Sequence, residues 1–141
     1  MMFPLLNTQA ILHRQPDAGY YYLLGNEGGT EKINRTGTEV LELCDGQHTA
    51  EEICSVMASR YDDSPAKVRP LIFQFLVESA SRGTISVPQT PTPATTRVTG
   101  SYTAWIPLLS SFELTTSCNL SCIHCYASAK LGRGYHPPPH G

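Results

Sequence analysis

The chain has 141 residues, of which 40% are hydrophobic, and it carries a formal net charge of −2 at pH 7. This length predicts about one ordinary domain, and the near-neutral charge gives no reason to expect nucleic acid or an anionic membrane as a partner. No apolar run approaches the roughly 18 residues that cross a bilayer, and the hydrophobic content is ordinary for a soluble globular chain.

Residues 1–35 favour β-strands. Thr8–Arg14 is a short β-prone run, and Tyr20–Leu24 is rich in aromatic residues, which are common in strands. Pro16–Gly19 lies between these runs and predicts a turn. After a glycine-rich loop that suits a hairpin, Glu31–Arg35 is predicted to pair back as a third strand.

The pattern then changes to a helical period. A short helix over Glu39–Cys44 is predicted to end at Asp45–Gly46, where glycine suits the left-handed conformation of a helix C-cap. Thr49–Glu52 has the spacing of a capping box, in which the threonine side chain and the glutamate side chain each bind the other residue's amide. This motif predicts the start of a second helix.

A third helix is predicted to open at Ser64–Pro65, because proline is tolerated at the first helical position. Phe73 and Val77, with Arg69 in line, form an apolar stripe on one side of this helix. A helix that is apolar on two sides must bury both sides or offer one to a partner. The stripe predicted to be buried has the i, i+3, i+4, i+7 spacing: Val68, Leu71, Ile72 and Phe75.

Gly83 is predicted to end the third helix, and Thr84–Val87 to close the domain as a small strand. Cys44 and Cys54 lie on the apolar sides of their helices. Free cysteine behaves as a small buried hydrophobe. We therefore assign both thiols to the core rather than to a second metal site.

The order of three strands, three helices and a closing strand resembles a small winged-helix-like module of the α+β class. Residues 8–87, above all Asn34–Gly46 and Thr49–Ile53, resemble the PqqD-like peptide chaperones, also called RiPP recognition elements (RiPP: ribosomally made, post-translationally modified peptide). The resemblance implies that residues 1–87 form a domain that binds the leader of a precursor peptide. An extended leader would add itself as a strand to an exposed sheet edge.

By the same resemblance, the leader groove lies between the third strand and the third helix. Ile33, Asn34 and Arg35 would contribute from the strand. On the helix, our hypothesis is that Phe73 and Val77 line the groove with Arg69 beside them; the alternative is that both apolar side chains pack on the sheet or on the first helix.

A winged helix can instead bind DNA. Over residues 30–88, however, nine acidic residues stand against six basic ones, and the basic residues form no stripe. Recognition of phosphates requires clustered positive charge. We therefore expect no nucleic-acid partner.

Residues 88–100 are a Pro/Thr-rich run that neither a helix nor a central strand tolerates, and they are predicted to form a semi-extended linker. Trp105–Leu109 and Ser111–Thr116 then resume β character, and the second run leads directly into Cys118. A strand followed by a loop that bears ligands is typical of α/β barrels.

Three cysteines, Cys118, Cys122 and Cys125, follow in a C-x-x-x-C-x-x-C pattern. Iron–sulfur clusters are held by grouped thiolates, usually four. Three at this spacing can hold one face of a cubane and leave one iron without a protein ligand. An open metal site is where chemistry on a small molecule can take place.

This loop resembles the cluster loop of the radical SAM enzymes. The resemblance implies that Cys118, Cys122 and Cys125 hold a [4Fe-4S] cluster whose open iron binds S-adenosylmethionine, the source of a 5′-deoxyadenosyl radical. His124 occupies a position that is often aromatic in that family, and we do not expect it to be a ligand.

Zinc and disulfides are the alternatives for these cysteines. Structural zinc requires four ligands, and the fourth could come from His124, His136 or His140. Zinc sites more often have two C-x-x-C pairs, whereas this chain has one. Five cysteines is an odd number, and the first residues lack the features of a secretory segment. We therefore expect a cytoplasmic location, where thiols stay reduced.

Residues 101–141 are too few for a whole barrel, since compact (β/α) barrels take roughly 200 residues. We expect this chain alone to be catalytically silent, as a truncated product, a fragment or one half of a split enzyme completed by a separate chain.

The interpretation that we favour is that this chain is the N-terminal portion of a radical SAM maturase, an enzyme that binds and modifies a precursor peptide. The alternatives are a stand-alone leader-binding chaperone with a vestigial cluster loop, and a zinc-stabilised winged-helix regulator.

Overall fold

A sheet and three helices form in the order that the sequence pattern predicts, in a computed structural model that describes residues 1–24 and 30–107. These residues belong to one compact unit, Met1–Leu108. The predicted α+β class is confirmed. The elements are β1 (Leu5–Leu6), β2 (Ala10–Arg14), β3 (Ala18–Leu23), β4 (Glu31–Asn34), α1 (Arg35–Glu42), α2 (Ala50–Arg60), α3 (Pro65–Ser81), β5 (Ile85–Ser86) and β6 (Arg97–Gly100).

Four of these strands form one sheet with the order β4-β3-β2-β6. β2 and β4 both run antiparallel to β3, with Leu12 opposite Tyr21 and Gly19 opposite Ile33. The predicted hairpin loop between β3 and β4 lies outside the described residues. Within this sheet β4 has a neighbour on one side only, so its outer N–H and C=O groups are left without a strand partner.

The other edge of the sheet is a strand that the sequence analysis missed. Residues 88–100 are predicted to be a linker, but Arg97–Gly100 forms β6 and pairs in parallel with β2. Farther back, the N–H of Thr92 donates to the Gly46 carbonyl at 2.8 Å, and that of Ala94 to the Asp45 carbonyl at 3.1 Å. The second half of the predicted linker is therefore attached to the domain.

The β character predicted for Trp105–Leu109 is wrong where the structure describes it. Residues 105–107 belong to no strand, and the side chains of Trp105 and Ile106 are 66% and 43% exposed. The closing strand predicted at Thr84–Val87 is confirmed: Ile85–Ser86 pairs antiparallel with β1 in a separate two-stranded sheet.

α1 begins directly after β4, four residues before the predicted helix start. Asn34, the last residue of β4, is the N-cap: its side-chain Oδ1 accepts the N–H of Gly37 at 2.7 Å. Arg35 therefore lies in the helix rather than in the predicted third strand. The capping box of α2 is confirmed, with Thr49 Oγ1 accepting the Glu52 N–H at 3.2 Å and Glu52 Oε2 accepting the Thr49 N–H at 2.7 Å.

The core lies between the sheet and the helices. Cys44 and Cys54 are buried in it, as predicted. Burial raises the pKa of the Cys44 thiol far above its ordinary value, and the thiol donates to the Val40 carbonyl at 3.3 Å. Both cysteines are therefore packing groups. The largest fully buried apolar side chains are those of Leu12, Leu41, Ile53 and Met57.

The stripe of α3 that faces the core differs from the predicted one. Ile72 is buried as predicted, and it is joined by Leu76 and Ser79, whereas Leu71 is 68% exposed and Phe75 is only partly buried. α3 is apolar over much of its circumference. Spacing alone therefore does not decide which stripe packs inward.

A buried carboxylate links α1 to α2. The Glu39 side chain is 5% exposed and accepts from Arg35 at 3.1 Å, from Arg60 at 3.0 Å and from the Tyr61 hydroxyl at 3.1 Å. Burial alone would raise the pKa of Glu39, but the bonds from Arg60, Arg35 and Tyr61 outweigh it and hold the pKa below its usual value. The charged form is therefore the one that the fold stabilises.

Replacing the N-cap of α1 tests how much Asn34, the last residue of β4, stabilises the start of that helix. We expect Asn34→Ala to lower the free energy of unfolding by about 1 kcal/mol, because the amide of Gly37 loses its acceptor. Asn34→Asp retains an acceptor at the same place and should stay close to wild type. Urea unfolding of both variants measures this, and equal stability of Asn34→Ala and wild type would contradict the capping role.

The Glu39 network predicts how stability depends on pH. Since the folded-state pKa of Glu39 is lowered, its contribution is fully present above the unfolded pKa and is lost as pH falls through the folded pKa. Glu39→Gln should therefore be less stable at pH 7 but lose less stability on acidification. Unfolding by urea across a pH series checks this, with Glu51→Gln at an exposed ion pair as the control. Parallel acid profiles for Glu39→Gln and wild type would refute it.

Candidate functional site

A groove of about 240 Å³ runs between the open edge strand β4 and helix α3. β4 supplies all four of its residues as one wall, and Leu41 and Thr84 contribute to the lining. The residues of α3 that form the opposite wall are Phe75, Glu78, Ser79 and Arg82.

The first part of the groove is apolar. Ile33 and Phe75 approach each other beside Gly37, where an added Cβ would lie 2.8 Å from Ile33 Cγ2 and 3.2 Å from Phe75 Cε2. A side chain at position 37 would therefore force a neighbouring side chain to shift. Leu71 lies one turn before Phe75 on the same side of α3 and is 68% exposed, so the apolar surface extends beyond the groove into solvent.

The other end of the groove is charged. Arg82 of α3 forms an ion pair with Glu31 of β4, which joins the two walls. Glu78 also lines the groove, and its carboxylate accepts a hydrogen bond from the Gln74 side-chain amide at 2.9 Å. The groove therefore changes along its length from apolar to acidic and basic side chains.

The predicted site residues divide between two faces of the domain. Ile33 and Asn34 line the groove. Arg35 does not: it begins α1, binds Glu39, and its guanidinium lies 4.8 Å from the centroid of the Tyr102 ring.

Arg69, Phe73 and Val77 lie on another face of α3. Arg69 pairs with Glu51 of α2 at 2.6 Å and lies over the Phe73 ring, 5.1 Å from its centroid. Phe73 and Val77 line a second, mostly apolar depression together with Met2 and other residues, and β4 contributes nothing to it. The structure therefore does not bring these three residues together with Ile33 and Asn34.

The helix residues of the groove were missed by the sequence analysis. Phe75 was assigned to the core, and Glu78 and Arg82 were not singled out. The signal was present, because Leu71, Phe75, Glu78 and Arg82 follow the i, i+4, i+7, i+11 spacing of one helical face. Only the position of β4 shows that this face borders the groove.

A cluster of polar side chains binds Tyr102, in the segment after β6, to Glu42 of α1 and Arg14 of β2. Glu42 accepts the Tyr102 hydroxyl at 2.6 Å and binds Arg14 through both carboxylate oxygens, at 2.7 and 2.9 Å. The Tyr102 ring also contacts the guanidinium groups of Arg14 and Arg35, at 5.3 and 4.8 Å from its centroid. Burial raises the pKa of the Tyr102 hydroxyl, and the hydrogen bond that this hydroxyl donates to Glu42 raises it further.

His13 of β2 adds two further bonds, one to β6 and one to the segment after it. It is 2% exposed, its Nε2–H donates to the Ile106 carbonyl at 2.6 Å, and its Nδ1 lies 2.9 Å from the Thr99 hydroxyl. A carbonyl can only accept, which fixes the proton on Nε2. These contacts hold β6 and the residues after it against β2. β6 is then one edge of the four-stranded sheet, and β4 is the edge that borders the groove.

The predicted metal ligands Cys118, Cys122 and Cys125, together with His124, His136 and His140, lie outside the described residues. Residues 1–24 and 30–107 contain no group of three or more His, Cys, Asp or Glu side chains that could hold a metal ion. In the same ranges, no helix has the length and apolar character needed to traverse a membrane.

An open strand edge beside a partly apolar helix face is the architecture of a domain that recognises extended peptides. The family model for coenzyme PQQ synthesis protein D (PqqD) matches residues 20–85. The chain belongs to the PqqD family of RiPP recognition elements, as the sequence analysis predicted. Both walls of the groove lie inside the matched residues.

Two curated proteins are similar to this chain. One is the antilisterial bacteriocin subtilosin biosynthesis protein AlbA of Bacillus subtilis (strain 168), 32% identical over 132 residues that cover 89% of this chain and 30% of AlbA. The other is the PqqA binding protein of Methylococcus capsulatus (strain Bath), 30% identical over 82 residues that cover 57% of this chain and 86% of that protein. No solved structure matches the chain significantly.

The chain thus spans about 30% of the length of AlbA. An alignment that covers 89% of a 141-residue chain includes residues 118–125 wherever it begins. The similarity to AlbA therefore extends past the PqqD match and across the three cysteines.

Proposed function

We propose that the β4–α3 groove captures the leader of a precursor peptide as an added strand, and that this capture serves a radical SAM maturase. The observation that carries the proposal is the open β4 edge, which faces α3 across a groove built wholly from residues of the PqqD match. The name of the M. capsulatus relative states that it binds PqqA. The name of AlbA states a role in bacteriocin biosynthesis.

Strand addition would use the backbone for affinity and the groove for selectivity. The outer N–H and C=O groups of β4 would pair with the leader backbone, in a manner that any extended sequence can match. Alternate leader side chains would point toward α3 and enter the space between Ile33 and Phe75. Burying one large apolar side chain there would contribute about 1.5–3 kcal/mol.

Cys118, Cys122 and Cys125 would serve the chemical step. As a donor set, three thiolates at this spacing fit a [4Fe-4S] cluster with one iron free of protein ligands. With S-adenosylmethionine bound, such a cluster supplies a radical that abstracts hydrogen from the peptide. This chain alone would lack most of the catalytic barrel, and a further part of the enzyme, in the same or a separate chain, would complete it.

A second candidate function is a stand-alone leader-binding chaperone. It is favoured by the relative of which this chain covers 86%, a protein named for peptide binding alone. In that case the groove acts in the same way and the cysteines have no catalytic role. A zinc-stabilised regulator is the third candidate, and the metal bound by the cysteines distinguishes it.

The groove is tested by selecting peptides and replacing single side chains of α3. A library of random 12-residue peptides displayed on phage should yield binders of the full chain. We expect Phe75→Asp to weaken these binders at least about tenfold, since a charged group would stand where the peptide buries an apolar one.

Phe73→Asp is the matched control, because it places the same group on the same helix but on the face away from β4. Circular dichroism would establish that both variants are folded. Loss of binding in Phe73→Asp with full binding in Phe75→Asp would contradict the β4–α3 groove and support the face on which Phe73 and Val77 lie.

The cysteines are tested by anaerobic reconstitution of the full chain with iron and sulfide. We expect a brown protein with visible sulfur-to-iron absorption, which is lost in Cys118→Ser, Cys122→Ser or Cys125→Ser and kept in Cys54→Ala, a change in the core. Addition of S-adenosylmethionine and a strong reductant should release no 5′-deoxyadenosine. A colourless protein with tetrahedral zinc would refute the cluster, and robust release of 5′-deoxyadenosine would refute the inactivity of the isolated chain.

A further inference from the structure

Four charged residues line the groove: Glu31, Lys32, Glu78 and Arg82. Arg82 is already paired with Glu31. Glu78 accepts from the neutral Gln74 amide, and none of the described residues forms an ion pair with it. A peptide side chain that arrives at this end would therefore meet an acidic surface.

Lys32 does not cancel this charge. Successive side chains of a strand point to opposite faces. Glu31 and Ile33 are both partly buried, whereas Lys32 between them is exposed. Glu31 and Ile33 thus share the face toward α3, and the Lys32 side chain leaves the strand on the opposite face, although Lys32 also lines the groove.

The spacing of the two parts of the groove matches the period of a strand. Glu31 and Ile33 are two residues apart, which is about 6.6–6.8 Å along a strand. A peptide paired with β4 has the same period, so one side chain that enters the Ile33–Phe75 space is followed by another at the Glu31–Glu78 end. In an antiparallel pairing, the apolar residue comes first in the peptide.

We propose, on the basis of the leader-binding function above, that the groove selects extended peptides with a large apolar residue followed two positions later by lysine or arginine. Glu78, supported by Glu31, is the residue that determines the second position. The cation contacts the Glu78 carboxylate and the Glu31 oxygen that Arg82 leaves free. The partner class is therefore a basic-amphipathic segment of a leader peptide.

An acidic side chain at this position would be disfavoured for two reasons. It would have to displace Glu31 from Arg82, and it would approach the Glu78 carboxylate at the same time. Like charges that are placed opposite each other across an interface oppose binding. Because the groups are partly exposed to solvent, we expect the preference for lysine over glutamate to be about tenfold rather than absolute.

Selection from the 12-residue phage library tests the proposal. The full chain should enrich peptides that share apolar-x-basic. Synthetic 12-residue peptides that carry lysine, glutamine or glutamate at the second position should then bind with affinity falling in that order. In Glu78→Lys the order should reverse. Glu51→Lys makes the same change in charge on α2, at the face of α3 that holds Arg69, and should leave the order as in wild type.

The outcomes separate this inference from the leader-binding proposal. The inference is overturned if enriched peptides bind less well to Phe75→Asp but show no preference for a cation. It is also overturned if Glu78→Lys leaves the order of peptide affinities unchanged. In both cases the proposal that the groove binds leader peptides is retained. If no peptide is enriched, or if enriched peptides bind equally to Phe75→Asp, both proposals fail. A basic-x-apolar motif would retain the role of Glu78 and overturn the antiparallel order.

Discussion

The unpaired edge of β4 is the constraint on which the proposed function of this domain depends. A four-stranded sheet has two edges, and each exposes backbone groups that can pair with another chain. One edge is β6, which pairs with β2, and the residues after it are held by His13 and Tyr102. The other edge is β4, and its position beside α3 limits what can add to it. A strand that adds to β4 must fit its side chains against those of α3.

α3 packs against the core with one face and forms a wall of the groove with another. Ile72 and Leu76 hold it to the core, whereas Phe75 and Arg82 form the wall of the groove. A third face, with Phe73 and Val77, lies over a separate depression. For a surface helix, α3 is unusually apolar, because it makes apolar contacts on several faces rather than on one. The groove face is not separate from the core, since Ser79 is buried and Phe75 packs against the core from the groove side.

Much of the fold could be predicted from the sequence, because local signals decide it. The capping box at Thr49 marks the start of α2 through a single side chain, and the structure confirms it. Gly46 has the predicted left-handed conformation, but the predicted helix end is wrong, since α1 ends at Glu42 and its C-cap is Leu43. β6 was missed because the proline-rich run before it dominated the interpretation, and parallel pairing with β2 over a long separation leaves no local signal. The residues of α3 that line the β4–α3 groove were not predicted for a related reason: the rotation of α3 depends on which neighbours it packs against.

The absence of a loop between β4 and α1 has a consequence for how a peptide would bind. Asn34 ends the strand and caps the helix in the same residue, and Gly37 in the first turn lies against Ile33 and Phe75. The strand therefore cannot shift without uncapping the helix. The groove is preorganised, and the entropy lost on association falls mainly on the incoming peptide, which must become extended. A leader that is already extended by its own sequence would thus bind more tightly at the same set of contacts.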